Sequence, residues 1–173
     1  MENNTVFRYI EYDDVDKILA GFAEQGWSKP RYVIEEYAEK QMKGSRIVLI
    51  AEVKKQIAGY ITLLVFAQDA IPFIERKIPE IKDFNVFEKY QNQGLGGKLL
   101  GLIEEEGAKF ADEICLGVGM YAGYGQAQRL YIKNGYIPDG TGIWSGNTQV
   151  PPYEMICNDD DLVLYLSKKL GGR

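Results

Sequence analysis

The sequence predicts an α/β (α+β) fold, and three observations carry that prediction. β-Branched and apolar stretches alternate along the chain with stretches of helical period. Two of the apolar stretches, Arg46 to Val53 and Ile57 to Phe66, are separated by the polar Lys54, Lys55 and Gln56, as in an antiparallel hairpin. Further on, strand, helix, strand and helix follow one another in the order of a crossover connection. At 173 residues the chain is read as a single domain, 1–173, large enough to bury a core without staples. Hydrophobic residues at 46% and charged residues at 26% place it among globular chains rather than disordered or fibrous ones.

Taken in order, Val6 to Tyr12 alternates and is rich in strand formers. Asp13 and Asp14 then stand where a helix cap is needed, ahead of Val15, Ile18, Leu19 and Phe22 at helical spacing. Gly26 and Pro30 punctuate the chain. Tyr32 to Met42 resumes a helical pattern, acidic near its start and with Lys40 and Lys43 near its end, the polarity that suits a helix dipole. After the hairpin, Pro72 and Pro79 bracket an amphipathic stretch, and Ile81 to Phe87 alternates as a strand that ends just before the glycine-rich Gln91 to Gly97. Leu95 to Phe110 is a helix by periodicity, Ile114 to Met120 a short apolar strand, and Gln126 to Asn134 a helix that Gly135 stops. Beyond Tyr136 the chain is rich in glycine and proline until Leu162 to Leu166, a final apolar strand behind three consecutive aspartates.

Composition removes several function classes. The chain has no histidine, so imidazole triads, imidazole bases and most catalytic zinc sites are out, and no metal is expected. Proton transfer falls to carboxylate, tyrosine, lysine or cysteine. A net charge of -5 without any lysine-arginine block speaks against nucleic acid as a partner. An acidic surface favours cationic ligands such as amines, and serves solubility equally well. Cys115 and Cys157 are too few for a disulfide framework, and each sits among apolar residues and reads as a small buried hydrophobe, which fits a reducing cytoplasm. Met1 to Thr5 is polar and acidic, unlike a signal peptide, and no apolar run approaches the roughly 20 residues of a membrane span. A cytoplasmic protein away from membranes is the expectation.

Gln91-Asn92-Gln93-Gly94-Leu95-Gly96-Gly97-Lys98 joins a strand to a helix, so its amides gather at the positive end of that helix, where phosphate binds. Glycines there permit positive φ and close approach of a pyrophosphate, and Lys98 adds charge. The segment is neither a Walker A loop nor the Gly-x-Gly-x-x-Gly dinucleotide fingerprint, which points to a different phosphate-bearing cofactor.

Gln91-x-x-Gly94-x-Gly96 resembles the Arg/Gln-x-x-Gly-x-Gly/Ala signature of the GNAT superfamily of N-acetyltransferases. Ala127 to Tyr136 is similar to that superfamily's second motif, a tyrosine followed by a helix end and Gly-Phe or Gly-Tyr. The order of elements matches as well, so the resemblance spans nearly the whole chain. It implies a mixed central sheet of about seven strands flanked by about four helices. It also implies acetyl-coenzyme A (acetyl-CoA) as cofactor, with Gln91, Gln93, Gly94, Leu95, Gly96, Gly97 and Lys98 at its diphosphate. Phe84, Asn85 and Val86 then fall on the strand whose splayed backbone holds the pantetheine arm. One position departs from the pattern: Tyr124 stands where the family carries asparagine, and it either packs along the cofactor arm or is an ordinary part-buried tyrosine.

The activity this resemblance implies is acetyl transfer to a primary amine of a small molecule or peptide, by direct attack. Such a reaction needs a neutral nitrogen, a polarised carbonyl and a proton for the departing thiolate. Tyr131 matches the family tyrosine that protonates the coenzyme sulfur. Glu80 and Asp83 lie where family members place a carboxylate base acting through water, and Asp83 is preferred, with a solvated edge charge or a substrate anchor as its other readings. The Val86 backbone N–H is the inferred donor to the carbonyl, and Glu88 reads as surface. Trp27, Tyr32, Trp144 and Tyr153 stand in the segments that usually set specificity, although each also suits a core or interface. A coenzyme-binding GNAT fold with weak or no catalysis, a protein N-terminal or lysine acetyltransferase, and an enzyme taking a longer acyl group or a hydroxyl acceptor remain open. So does a homodimer formed through the terminal strands, alongside a monomer.

Overall fold

The structure is a computed structural model that describes residues 5–171. Within it the chain gathers into two compact units, one of residues 5–65 with 82–106 and the other of residues 66–81 with 107–171.

In the first unit, β1 (Thr5–Tyr9) is followed by α1 (Asp14–Glu24), α2 (Arg31–Met42), β2 (Arg46–Val53) and β3 (Gln56–Leu64). β4 (Glu80–Val86) gives its residues from Lys82 onward to this unit, and α3 (Leu95–Gly107) closes it. β1 pairs antiparallel with β2, and β2 with β3, Arg46 facing Leu64 and Val53 facing Gln56. The hairpin turn is therefore two residues long. Lys54 and Lys55 take φ of 50° and 67°, the primed-turn geometry that matches the twist of the flanking strands. Ile10, Val15, Ile18 and Phe22 meet Ile34, Tyr37, Val48, Ile50, Tyr60 and Phe87 in one buried cluster. At its centre the Phe22 ring stands edge-on to Tyr60 at 6.2 Å and to Phe87 at 5.2 Å, a favoured aromatic geometry.

The helix cap differs from the sequence expectation. Asp13 makes no side-chain cap bond. Asp14 is instead fully buried and accepts from the Glu11 N–H at 2.9 Å, from both terminal nitrogens of Arg8 at 2.6 and 2.8 Å, and from Lys17 at 3.2 Å. A buried carboxylate needs such donors, because unpaired charge in an apolar interior is heavily penalised.

The second unit holds the first two residues of β4, then β5 (Glu113–Gly119), α4 (Gly125–Lys133), β6 (Ile137–Ser145), β7 (Thr148–Gln149) and β8 (Leu162–Lys169). β4 runs parallel to β5, Glu80 beside Cys115 and Ile81 beside Leu116. β5 pairs antiparallel with β8, β8 with β6, and β6 with β7. Its core joins Ala67, Ala70, Phe73 and Ile78 to Cys115 and Tyr165, whose hydroxyl donates to the Asp69 carbonyl at 3.2 Å.

The eight strands form a mixed sheet, one more than the expected seven. The extra strand is the two-residue β7, which pairs with β6 within the glycine- and proline-rich stretch after Tyr136. The ladder from β6 to β8 breaks between Pro138 and Ile143, where proline has no N–H to give. The amphipathic stretch between Pro72 and Pro79 is a 3-10 turn, Ile71–Arg76, and α3 stops at Gly107 rather than Phe110. Cys115 is buried as expected, but Cys157 is exposed, because the segment carrying it, residues 150–161, has no helix or strand to bury it. Among the described residues no helix is long and apolar enough to cross a membrane.

Burial alone raises the Asp14 carboxyl, but the bonds from Arg8, Glu11 and Lys17 outweigh it and hold the group below the usual aspartate value. Stability from a depressed carboxyl is complete above about pH 4 and is lost as the pH falls through the lower, folded value. Asp14→Asn should cost about 2–4 kcal/mol in urea unfolding at pH 7 and should lack this acid-side loss.

Candidate active site

The end of β4 is placed by a glycine on the neighbouring strand. A Cβ on Gly59 would sit 2.5 Å from the Asn85 carbonyl oxygen and 2.9 Å from Val86 Cα, so only glycine lets the two backbones lie this close. Immediately afterwards the Phe87 N–H donates to the Ala58 carbonyl at 2.9 Å. The Phe87 ring fills the space over Gly21 of α1, where a Cβ would come within 2.4 Å of it. β4 thus ends at a fixed point, and the glycine-rich turn starts from it.

Gln91 ties that turn back to the strand, its side-chain amide donating to the Val86 carbonyl at 2.9 Å. The Gln93 amide donates in the same way to the Lys89 carbonyl at 3.2 Å. Asn92 and Gly94 take positive φ, 58° and 80°, and the Lys98 N–H closes the first turn of α3 on the Gly94 carbonyl at 3.2 Å. The amides ahead of Lys98 therefore stand at the open end of the helix, where intrahelical partners are lacking by construction. An added Cβ on Gly94 or Gly97 would meet no atom within 4 Å, so packing within the protein does not explain glycine at 97. Lys98 is exposed beside them. Open space, the first-turn amides of a helix and one exposed cation fit a diphosphate.

Asp83 and Asn85 share a side of β4, as alternation requires, with the Asn85 amide donating to Asp83 Oδ1 at 2.7 Å. Asp83 Oδ2 accepts from the Tyr37 and Tyr60 hydroxyls, each at 2.9 Å, and from the Lys29 ammonium. The Asp83 N–H donates to Thr62 Oγ1 at 3.2 Å, and Arg46 donates to the same hydroxyl while its guanidinium lies 4.6 Å from the Tyr37 ring centre. Burial, then the Asp83 charge, push both phenols well above the usual tyrosine value, so they remain neutral donors. Glu80, the other carboxylate considered, is buried beside Cys115 in the second unit.

In the second unit Tyr131 is buried on α4, its ring 5.7 Å from that of Tyr136. Tyr124 covers Gly119, where a Cβ would fall 2.3 Å from the ring, and its hydroxyl donates to Asp160 at 2.9 Å. Tyr121 donates to the same carboxylate oxygen at 2.7 Å. Of the proposed specificity residues, Tyr32 and Tyr153 are exposed, Trp27 is exposed and stacks on Phe22 at 6.4 Å, and Trp144 packs on Tyr165 and donates to Thr141 at 2.7 Å.

Residues 44–138, over half the chain, match the acetyltransferase (GNAT) domain family. The chain belongs to the GNAT acetyltransferase family. A curated relative, an uncharacterized N-acetyltransferase of Chlorobaculum tepidum, is 26% identical over 160 residues, which cover 90% of this chain and 91% of the relative. Among solved structures, the PaiA N-acetyltransferase of Thermoplasma acidophilum in complex with coenzyme A aligns at TM-score 0.66 and 15% identity, over 96% of this chain and 99% of that one. A Salmonella typhimurium protein described as an acetyltransferase, solved with its cofactor acetyl-CoA, aligns at 0.71 and 16%, over 99% and 96%. At these identities the structural likeness speaks to the GNAT fold.

Three features of this acetyltransferase escape sequence reading. Gly59 looks like any strand glycine, Lys29 like any loop lysine, and nothing local shows that the Gln91 side chain is taken up by the Val86 carbonyl. Gly59→Ala should force Asn85 and Val86 away from β3 and cost about 1–3 kcal/mol in thermal or urea unfolding, whereas Gly101→Ala, in open space on α3, should not destabilise.

Proposed function

We propose that this GNAT acetyltransferase transfers the acetyl group of acetyl-CoA to the primary amine of a small molecule or peptide, by direct attack of the nitrogen. The observation that carries the reading is the turn from β4 into α3, where the first-turn amides of the helix lie beside open space at Gly94 and Gly97. Bound acetyl-CoA supplies an activated thioester carbonyl.

The chain's own residues supply the rest. The backbone from Gln93 to Lys98 holds the diphosphate, with Gln91 fixing the turn to Val86 rather than reaching the ligand. The backbone of Phe84, Asn85 and Val86 runs along the pantetheine arm, and the Val86 N–H polarises the carbonyl. Asp83 receives the proton that the amine gives up, and Tyr131 delivers one to the departing sulfur. Tyr124, with its hydroxyl on Asp160, packs against the arm through its ring.

Isothermal titration tests the cofactor first, with acetyl-CoA expected to bind in the micromolar range, about -8 kcal/mol, and NAD not at all. No detectable acetyl-CoA binding overturns the proposal. Gly97→Asp places a carboxylate at the diphosphate while suiting the first turn of a helix, so affinity should fall about tenfold or more with Tm held. In a thiol-release assay Tyr131→Phe should lower kcat about ten- to a hundredfold with little change in the KM for acetyl-CoA.

A further inference from the structure

The Lys29 ammonium occupies a small site of its own in the first unit. It is bound to Asp83 Oδ2, donates to the Tyr60 hydroxyl at 2.9 Å, and lies 5.4, 6.0 and 5.6 Å from the ring centres of Phe22, Tyr37 and Tyr60. Three aromatic rings and a carboxylate around an alkylammonium make a cation cage. Its walls are fixed: Phe22 on α1, Tyr37 on α2, Tyr60 on β3 and Asp83 on β4 all belong to buried or half-buried elements. Its occupant is not, since Lys29 hangs from the connector between α1 and α2, behind Gly26 at φ 76°.

We infer that this cage is the binding site for the acceptor's ammonium group, that Lys29 is its internal stand-in, and that the acceptor class is a primary amine on an unbranched alkyl chain. The inference rests on the proposed acetyl transfer and names the acceptor for it. Asp83 already accepts three donors on Oδ2 and one on Oδ1, so an incoming ammonium cannot simply be added. One donor has to leave. Tyr37, Tyr60 and Asn85 sit on secondary structure, while the lysine has four rotatable side-chain bonds, a connector backbone and a side chain 21% exposed. Lys29 is the donor that leaves, and its charge gains full hydration on the way out. An alkylammonium entering replaces like with like, so the half-buried Asp83, its side chain 16% exposed, regains a cationic partner when the site is refilled. Acceptors with a branched or aromatic substituent at the amine carbon do not reproduce the slim stem that threads the three rings.

A tethered occupant lowers the apparent affinity of any competitor by the fraction of time the site stands open. Removing the lysine side chain therefore exposes the site. The test is isothermal titration of n-butylamine hydrochloride at pH 7 into wild type, Lys29→Ala, Lys29→Met and Lys29→Ala/Asp83→Asn, with n-butanol as the uncharged control. Lys29→Ala should bind butylammonium about tenfold or more tightly than wild type. The double variant should lose that gain, and n-butanol should not bind.

Equal or weaker binding to the Lys29 variants overturns the inference and makes Lys29–Asp83 a structural ion pair. So does equal binding of n-butanol, which would report an apolar hole. Thermal unfolding is followed in parallel, and Lys29→Met, which keeps apolar cover over the rings, is read if Lys29→Ala does not fold. Failure of both to fold also overturns it, because a displaceable occupant has to be dispensable for folding. No coenzyme enters this titration, so its result is separate from that of the acetyl-CoA experiment.

Discussion

A missing Cβ on Gly59 sets the geometry on which the rest of the first unit depends. Because β3 carries no side chain there, the Asn85 carbonyl and Val86 approach it to distances no other residue permits. From that contact follow the Phe87 bond to Ala58, the seating of the Phe87 ring over Gly21 of α1, and the bond from Gln91 to the Val86 carbonyl. For the phosphate-binding role proposed for this turn, amides held still before the ligand arrives favour affinity, since every ordering cost deferred to binding subtracts from it. Here the turn is anchored at the strand by Gln91 and at the helix by Gly94, with the backbone strain confined to Asn92 and Gly94.

The polar cluster on Asp83 shows how a carboxylate is kept in a largely apolar neighbourhood. Tyr37, Tyr60, Asn85 and Lys29 share two oxygens, and the tyrosine rings that supply hydroxyls also belong to the hydrophobic cluster with Phe22. Buried networks of this kind are stable only when fully satisfied, and one lost donor leaves the others poorly placed. The same economy appears at Asp14, where Arg8 spans from the helix start to Glu52 at 2.9 Å. The Asp14 charge is held by near neighbours in the sequence, whereas the Asp83 charge is held by groups from distant parts of it.

That distance explains what was legible beforehand. The hairpin at Lys54 and Lys55, the four helices and the turn from Gln91 to Lys98 are local, written in periodicity, polarity and glycine spacing, and the structure places them within a few residues of where the sequence puts them. β6 is hidden in the sequence because its apolar residues do not alternate, Ile143 and Trp144 being adjacent, and because Pro138, Gly140 and Gly142 are turn-forming residue types. β7 has only two residues and carries no periodicity at all. Asp83 and Asn85 could be assigned to one face of β4 from alternation, but nothing local announces that Lys29, 54 residues earlier in the chain, ends on the same carboxylate. Gln91 matched a motif for its position and not for its side chain, whose bond to Val86 is a tertiary fact. Cys157 was misjudged because Met155 and Ile156 beside it look like core and are exposed.

Cys157 has a practical consequence of its own. The chain contains two cysteines, and Cys115 is sealed in the second core with its sulfur against the Pro79 carbonyl. A maleimide dye will therefore mark the wild-type protein at one place, on the segment leading into β8, with no engineering of the background. The neighbouring Asp159 carboxylate bonds the thiol and holds its proton on, so labelling will run slowly at neutral pH and gain from mildly alkaline buffer. Such a dye would sit close in sequence to Asp160, where the Tyr121 and Tyr124 hydroxyls are fastened.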